Sequence, residues 1–151
     1  MRMSIQMEAV VIDRPIEEVF AFFSNFENSP LWGRTIRTVK DSDGPIAVGT
    51  TFNEEAKIMG RTMRHESEVT EFDPPTKFFY SNRFENGISE RAQFTFESVE
   101  GGTRMNPAAE VEMKGVPQVL APFFVWQMKR QVRSLLKNLK DVLESPDRPV
   151  V

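Results

Sequence analysis

Phe52-Asn53-Glu54-Glu55-Ala56-Lys57-Ile58-Met59-Gly60-Arg61-Thr62-Met63-Arg64-His65-Glu66-Ser67-Glu68-Val69 is the stretch on which the fold turns. Its side chains alternate with period two on both sides of a glycine, the pattern of two antiparallel strands with one wet and one dry face. A two-residue turn at Gly60-Arg61 pairs Ile58 with Met63, Ala56 with His65, Glu54 with Ser67 and Phe52 with Val69. Asn53, Glu55, Lys57, Arg64, Glu66 and Glu68 then share the other face, which belongs to solvent. The inner face is apolar at its ends and holds Glu54, His65 and Ser67 in between.

The same reading extends over Ile36 to Met113. Turn signals stand at Asp41–Pro45, Gly60-Arg61, Asp73-Pro74-Pro75, Asn86-Gly87 and Gly101-Gly102, which divides the stretch into six meandering strands. A turn at Gly101-Gly102 pairs Phe96 with Pro107, Phe94 with Ala109, Ala92 with Val111 and Glu90 with Met113. Pro107 removes a ladder hydrogen bond, so a bulge is expected beside it. The Asn86-Gly87 hairpin admits two registers of opposite facing. A two-residue loop turns Phe79, Ser81 and Arg83 inward. A three-residue loop turns Phe78, Tyr80, Asn82 and Phe84 inward, and is favoured because it points three aromatics at Ala92 and Phe94.

Helices flank the meander. Ser4–Ile12 alternates as a strand, with Ile5, Met7, Ala9 and Val11 on one side. Pro15 suits a helix start, Glu17 and Glu18 complement its N-terminus, and Ile16, Val19, Phe20 and Phe23 form its apolar stripe. Phe26 to Trp32 reads as a second short helix. After Gly115 a long helix runs to about Glu144, with Val132, Leu135, Leu136, Leu139, Val142 and Leu143 at i, i+3, i+4, i+7 spacing. One α+β domain over 1–146 with a tail at 147–151 follows, in the order β, α, α, six β, α.

Composition narrows the function classes. Thirteen Phe in 151 residues favour a large core or an apolar pocket. No cysteine excludes disulfides, thiolate catalysis and Cys-type zinc sites, and a single histidine excludes a His-rich metal site. A net charge of −3 without a dense basic stripe argues against nucleic acid. No apolar run is long enough to span a membrane, and Arg2, Gln6 and Glu8 interrupt any leader-like segment, so a cytoplasmic protein without a transmembrane segment is expected.

Several local motifs, in their order, resemble the START-like (SRPBCC) helix-grip superfamily, in particular its polyketide cyclase/dehydrase-like branch. They are Ile12-Asp13-Arg14-Pro15-Ile16-Glu17-Glu18-Val19-Phe20, Trp32, Gly49-Thr50-Thr51-Phe52, Phe72-Asp73-Pro74-Pro75, Phe94-Thr95-Phe96-Glu97 with Gly101-Gly102-Thr103-Arg104, and Asn138-Leu139-Lys140-Asp141-Val142-Leu143-Glu144. The resemblance implies a seven-stranded antiparallel sheet around a long C-terminal helix, two short helices after strand 1, and a cavity between sheet and helix. Members of that superfamily include lipid carriers, hormone receptors, allergens, aromatase/cyclases and chaperone activators, so the fold does not select the function.

Trp32, Phe52, Glu54, Ile58, Met63, His65, Tyr80, Phe94, Ala109 and Phe124 are the expected lining of that cavity, with no cofactor and no metal. His65, with Glu54 as its diagonal neighbour, is the candidate general acid/base pair; the plainer alternative is a hydrogen-bonded wall residue. Tyr80, Asn82 and Glu90 add polar groups on the same face. Val116–Met128 is apolar nearly all round. Pro122 kinks it or marks a restart, and the segment is read as a cavity lid, a homodimer surface through Val119–Met128, a membrane-touching patch or a buried core helix. Binding of a small apolar or amphipathic molecule, lipid or polyketide-like, is the first functional expectation. A cyclase/dehydrase-type enzyme using His65 and Glu54 and a chaperone-activator type of interaction module are the alternatives.

Overall fold

The computed structural model describes residues 1–41, 43–58 and 60–146; the 147–151 tail lies outside the described residues. In chain order they form β1 (Arg2–Gln6), β2 (Val10–Ile12), α1 (Ile16–Ser24), a 3₁₀ turn (Phe26–Asn28), α2 (Ser29–Trp32), β3 (Thr35–Lys40), β4 (Thr51–Ile58), β5 (Arg61–Asp73), β6 (Lys77–Phe84), β7 (Ser89–Val99), β8 (Gly102–Glu112), a second 3₁₀ turn (Gln118–Leu120) and α3 (Ala121–Glu144). One antiparallel sheet runs β1-β8-β7-β6-β5-β4-β3, with β2 also paired to β8. This is the helix-grip arrangement, with two short helices after the first strands.

The first strand is not continuous as expected. Gln6 pairs with Ala108 and Val10 with Met105, so three residues, 7–9, face only two of β8. The extra residue reverses the pleat, which buries Met3, Ile5 and Ile12 and leaves Val11 exposed. Pro107 explains where the break falls. Its register with Phe94 in β7 is regular, and its carbonyl accepts the Met7 N–H at 3.0 Å. Carbonyl and missing N–H of a strand residue face the same neighbour, so the proline's empty donor position points at the gap between β1 and β2. The bulge expected beside Pro107 thus lies in the adjacent strand.

Two hairpins close one residue earlier than the glycines suggest. Ile58 pairs with Arg61 and Val99 with Gly102, so each hairpin closes one residue before the expected position, the second through Glu100-Gly101. Gly60 (φ +77) and Gly101 (φ +86) take the second turn position, where a positive φ is needed. A shift of one turn residue moves each pairing by two, so the inward set survives and the partners change. Glu54 lies directly opposite His65, Ala56 opposite Met63, and Phe94 opposite Pro107. In the third hairpin Phe84 donates its N–H to Ile88, enclosing Glu85-Asn86-Gly87 with Gly87 at φ +89, and Phe78 pairs with Phe94. That is the three-residue loop.

The core is an aromatic layer between α1 and the sheet. Phe23 meets Trp32, Phe78, Phe94 and Phe96 at centroid distances of 4.6–6.0 Å, and Phe26 meets Phe52, Phe78 and Tyr80. The C-terminal half of α3 closes this layer with Leu136, Leu139 and Leu143. Its N-terminal half packs Ala121, Phe124, Val125 and Met128 on a second cluster of Met3, Ile5, Ala109 and Val111. Pro122 sits in the first turn, where no donor is required, so of the two expected roles it marks a helix start after the 3₁₀ turn and does not kink the helix. At the other end, the Glu144 carboxylate accepts the Asp13 N–H (2.9 Å) and a Lys140 hydrogen bond. Both hold its pKa below the usual glutamate value.

Backbone approach at β2–β8 sets one sharp constraint. A Cβ on Gly102, at φ +128, would stand 2.0 Å from the Ile12 carbonyl oxygen, whereas one on Gly101 meets open space. Gly102→Ala is expected to cost roughly 2–5 kcal/mol, strain plus overpacking, and Gly101→Ala about 1–2 kcal/mol from the left-handed φ alone. Urea denaturation of the two variants checks this; equal losses would show that β2 separates from β8 without cost.

Candidate functional site

Strand alternation sends Phe52, Glu54 and Ala56 of β4, His65 and Ser67 of β5, Phe78, Tyr80 and Asn82 of β6, and Glu90, Ala92 and Phe94 of β7 to one face. Toward the end of that face that carries the β6–β7 loop the polar residues meet. Glu54 is 6% exposed and His65 9%. The Glu54 carboxylate accepts from His65 Nε2 at 3.0 Å and, on its other oxygen, from Thr35 Oγ1 at 3.3 Å. Ser67 Oγ stands 2.6 Å from Asn82 Oδ1 and 3.3 Å from Glu54 Oε1, with one hydrogen to give to either. Asn82 lies opposite Glu90 in the ladder and donates to it from its side chain. One chain of contacts therefore runs from Thr35 through Glu54, Ser67 and Asn82 to Glu90, with His65 branching from Glu54.

The two carboxyl groups sit in different surroundings. Glu90 has its pKa raised by burial, which His65 and the Asn82 hydrogen bond only partly oppose. Tyr80 is raised well above the usual tyrosine value by burial and then by the charges of Glu90 and Glu54. Tyr80 also stacks on Phe94 at 6.0 Å. His65 lies tilted against Phe84 at 4.8 Å. With Nε2 donating to Glu54, the Nδ1 atom is left over. It is buried, and among the described residues it has no hydrogen-bond partner. Trp32 Nε1 and Thr38 Oγ1 are in the same condition. Such atoms cost about 1–3 kcal/mol each when left unpaired, and Thr38, opposite Glu54 in the ladder, and His65 bring two of them to the polar cluster. No group of three or more His, Asp or Glu among the described residues is placed to hold a metal ion.

The expected lining residues fall into two groups. Phe52, Glu54, His65, Tyr80 and Phe94 share the inner face, Met63 is half-buried opposite Ala56, and Trp32 packs on Phe23. Ala109, opposite Ala92 on the same face, and Phe124 pack in the second cluster with Met3 and Ile5, under the start of α3. The Ile58 side chain lies outside the described residues. Thr35 and Thr38 were not anticipated. A register shift between Thr35 and Arg37 brings Thr35 to Glu54, and alternation alone does not disclose a bulge. Of the two concavities described, the first borders this cluster and the second lies apart from it. One of about 440 Å³ is on the outer face, among Arg37, Val39, Asn53, Glu55, Arg64, Glu66 and Arg83, with Glu54, His65 and Phe84 alternating beneath. The other, about 450 Å³, lies between α1 and the Pro74-Pro75 turn.

This fold, with a polar cluster on an aromatic inner face, is that of a known class. The family described as "Polyketide cyclase / dehydrase and lipid transport" matches residues 4–144, and the chain belongs to it. A search of curated proteins returns no match. Among solved structures, the di-domain ARO/CYC BexL from the BE-7585A biosynthetic pathway aligns with a TM-score of 0.76 at 18% identity. The alignment covers 98% of this chain and 51% of that one. Ara h 8.0201 aligns at 0.74 and 17% identity over 95% and 98% of the two chains. Protein CV1439 from Chromobacterium violaceum aligns at 0.70 and 17% identity over 94% and 98%. At these identities the likeness is one of fold.

The pKa of Glu90 gives the cluster a measurable signature. A carboxyl whose folded-state pKa is raised binds its proton more tightly in the folded than in the unfolded chain. Its stabilising contribution is therefore present below the ordinary glutamate value and lost as pH rises through the raised one. Glu90→Gln, which keeps the Asn82 partner and cannot ionise, is expected to raise Tm more at pH 8 than at pH 4. Equal shifts at both values would mean that Glu90 ionises as freely folded as unfolded.

Proposed function

We propose that the chain binds a small, mostly apolar molecule that sets one polar group against His65 Nδ1, between the aromatic inner face and α3. The observation that carries this reading is the buried, unpartnered Nδ1 atom, beside Glu54, Ser67, Asn82 and Glu90 on a face otherwise built from Phe and Tyr. A few placed polar groups in apolar surroundings are what orienting such a ligand requires. Membership of a family described by cyclase, dehydrase and lipid-transport activities supports the same class of ligand. The aromatic layer is well filled, so binding needs side chains to give way.

A second reading rests on the Glu54–His65 geometry. A carboxylate holding Nε2–H at 3.0 Å directs the Nδ1 lone pair outward, the arrangement of an oriented general base. Glu90, with its raised pKa, is suited to the complementary acid. Proton removal from a carbon acid followed by loss of water would use both. The neighbour BexL, an ARO/CYC from a biosynthetic pathway, supports this alternative only through its fold.

Binding of 2-naphthol, a fused aromatic with one hydroxyl, separates site from bystander. Calorimetry is expected to show binding to the wild type and an affinity at least about tenfold lower for His65→Leu, from loss of one hydrogen bond to a buried group. Native mass spectrometry of protein from its own host is expected to show a retained apolar molecule. Unchanged affinity in His65→Leu would move the residue to the wall. If a reaction is found, His65→Gln should slow it by about a hundredfold or more.

A further inference from the structure

We propose that the outward face of α3 docks on an anionic lipid surface. This goes beyond the ligand reading and does not depend on it. Val119, Leu120, Phe123 and Trp126 are all exposed, Phe123 at 55% and Trp126 at 57%. Their neighbours Phe124, Val125 and Met128 are the ones that face the protein. At helical spacing the same outward stripe continues from Phe123 and Trp126 through Arg130, Arg133 and Lys137, every one exposed. The Arg130 guanidinium lies over the Trp126 ring at 5.6 Å.

The charge distribution selects the partner. Residues 113–140 hold six of the chain's nineteen basic residues and none of its twenty-two acidic ones, so that stretch is +6 and the remainder −9 in a chain of net −3. The acidic groups near the stripe are Glu8, which meets Arg133 at 2.9 Å with both side chains largely exposed, and Asp141 one turn beyond Lys137. A second copy packed symmetrically on this face would bring like charges together, which disfavours a homodimer there. A helix with aromatic residues at one end and long cationic side chains along the same face suits the boundary of a bilayer with anionic headgroups. Rings enter the acyl edge and cations stay among phosphates. Among the described residues no helix is long and apolar enough to cross a membrane, so contact by this face is superficial.

Co-sedimentation of the full chain with vesicles tests the proposal. Binding is expected to a one-to-one mixture of phosphatidylcholine and phosphatidylglycerol, not to phosphatidylcholine alone, and to weaken with salt. The triple variant Arg130→Gln/Arg133→Gln/Lys137→Gln should partition about a hundredfold less, at about fivefold per cation. Phe123→Ser/Trp126→Ser should lose at least about tenfold. A blue shift of emission on binding should be present in the wild type and absent in Trp126→Phe. Far-UV circular dichroism of each variant shows whether it is folded. No binding to the mixed vesicles, equal binding to neutral ones, or binding that Phe123→Ser/Trp126→Ser leaves intact would overturn the proposal. So would a concentration-dependent dimer that buries Trp126 without vesicles.

Discussion

A carboxylate taken out of water loses several kcal/mol of hydration unless donors replace it. Glu54 is 6% exposed on the inner face of β4, and the strands around it are arranged to supply those donors. His65 comes from directly across the β4–β5 ladder, Thr35 from β3 through a register shift, and Ser67 from two residues further along β5. Moving any pairing by a single residue would send these groups to the opposite face and leave the carboxylate alone. The register of three strands is thus tied to one buried charge.

Around that charge the packing is aromatic. Phe23 and Phe26, presented by α1 and the turn after it, fill the space over Phe52, Phe78 and Phe94, so the polar cluster is bordered by an aromatic layer. Low local polarity strengthens each hydrogen bond in the cluster and raises the cost of each group left without one. His65 shows both effects at once. Its Nε2 is fixed by Glu54, and its Nδ1 is buried with no partner among the described residues. An apolar side chain at this position would take a donor away from the buried Glu54 carboxylate, so the histidine is tied to that charge as well as to the wall. The second nitrogen is the atom on which the proposed ligand contact rests.

Much of this was legible in the sequence because strand parity is robust. Placing the turns one residue late at Gly60 and Gly101 moved every partner by two and left the inward set unchanged. Glu54 and His65 meet in either register for the same reason, since diagonal and direct partners share a face. What alternation cannot show is an interruption. Met7, Glu8 and Ala9 continue a plausible period-two pattern, yet the chain bulges there because Pro107 on β8 has no donor to offer. Thr35 was hidden by the other bulge. The start of α3 was ambiguous because seven large apolar side chains within a dozen residues satisfy several patterns. Only the packing of Phe124, Val125 and Met128 on the β1–β8 edge reveals that Phe123 and Trp126 are left outside.

The lone histidine makes the central claim open to one measurement. In protein labelled with ¹⁵N at histidine, the imidazole resonances belong to His65 alone. The account predicts a protonated Nε2 in hydrogen-bonding contact with Glu54, and an Nδ1 resonance that moves when a hydroxylated apolar ligand saturates the protein. An unprotonated Nε2, or an Nδ1 resonance unmoved at saturation, would contradict it.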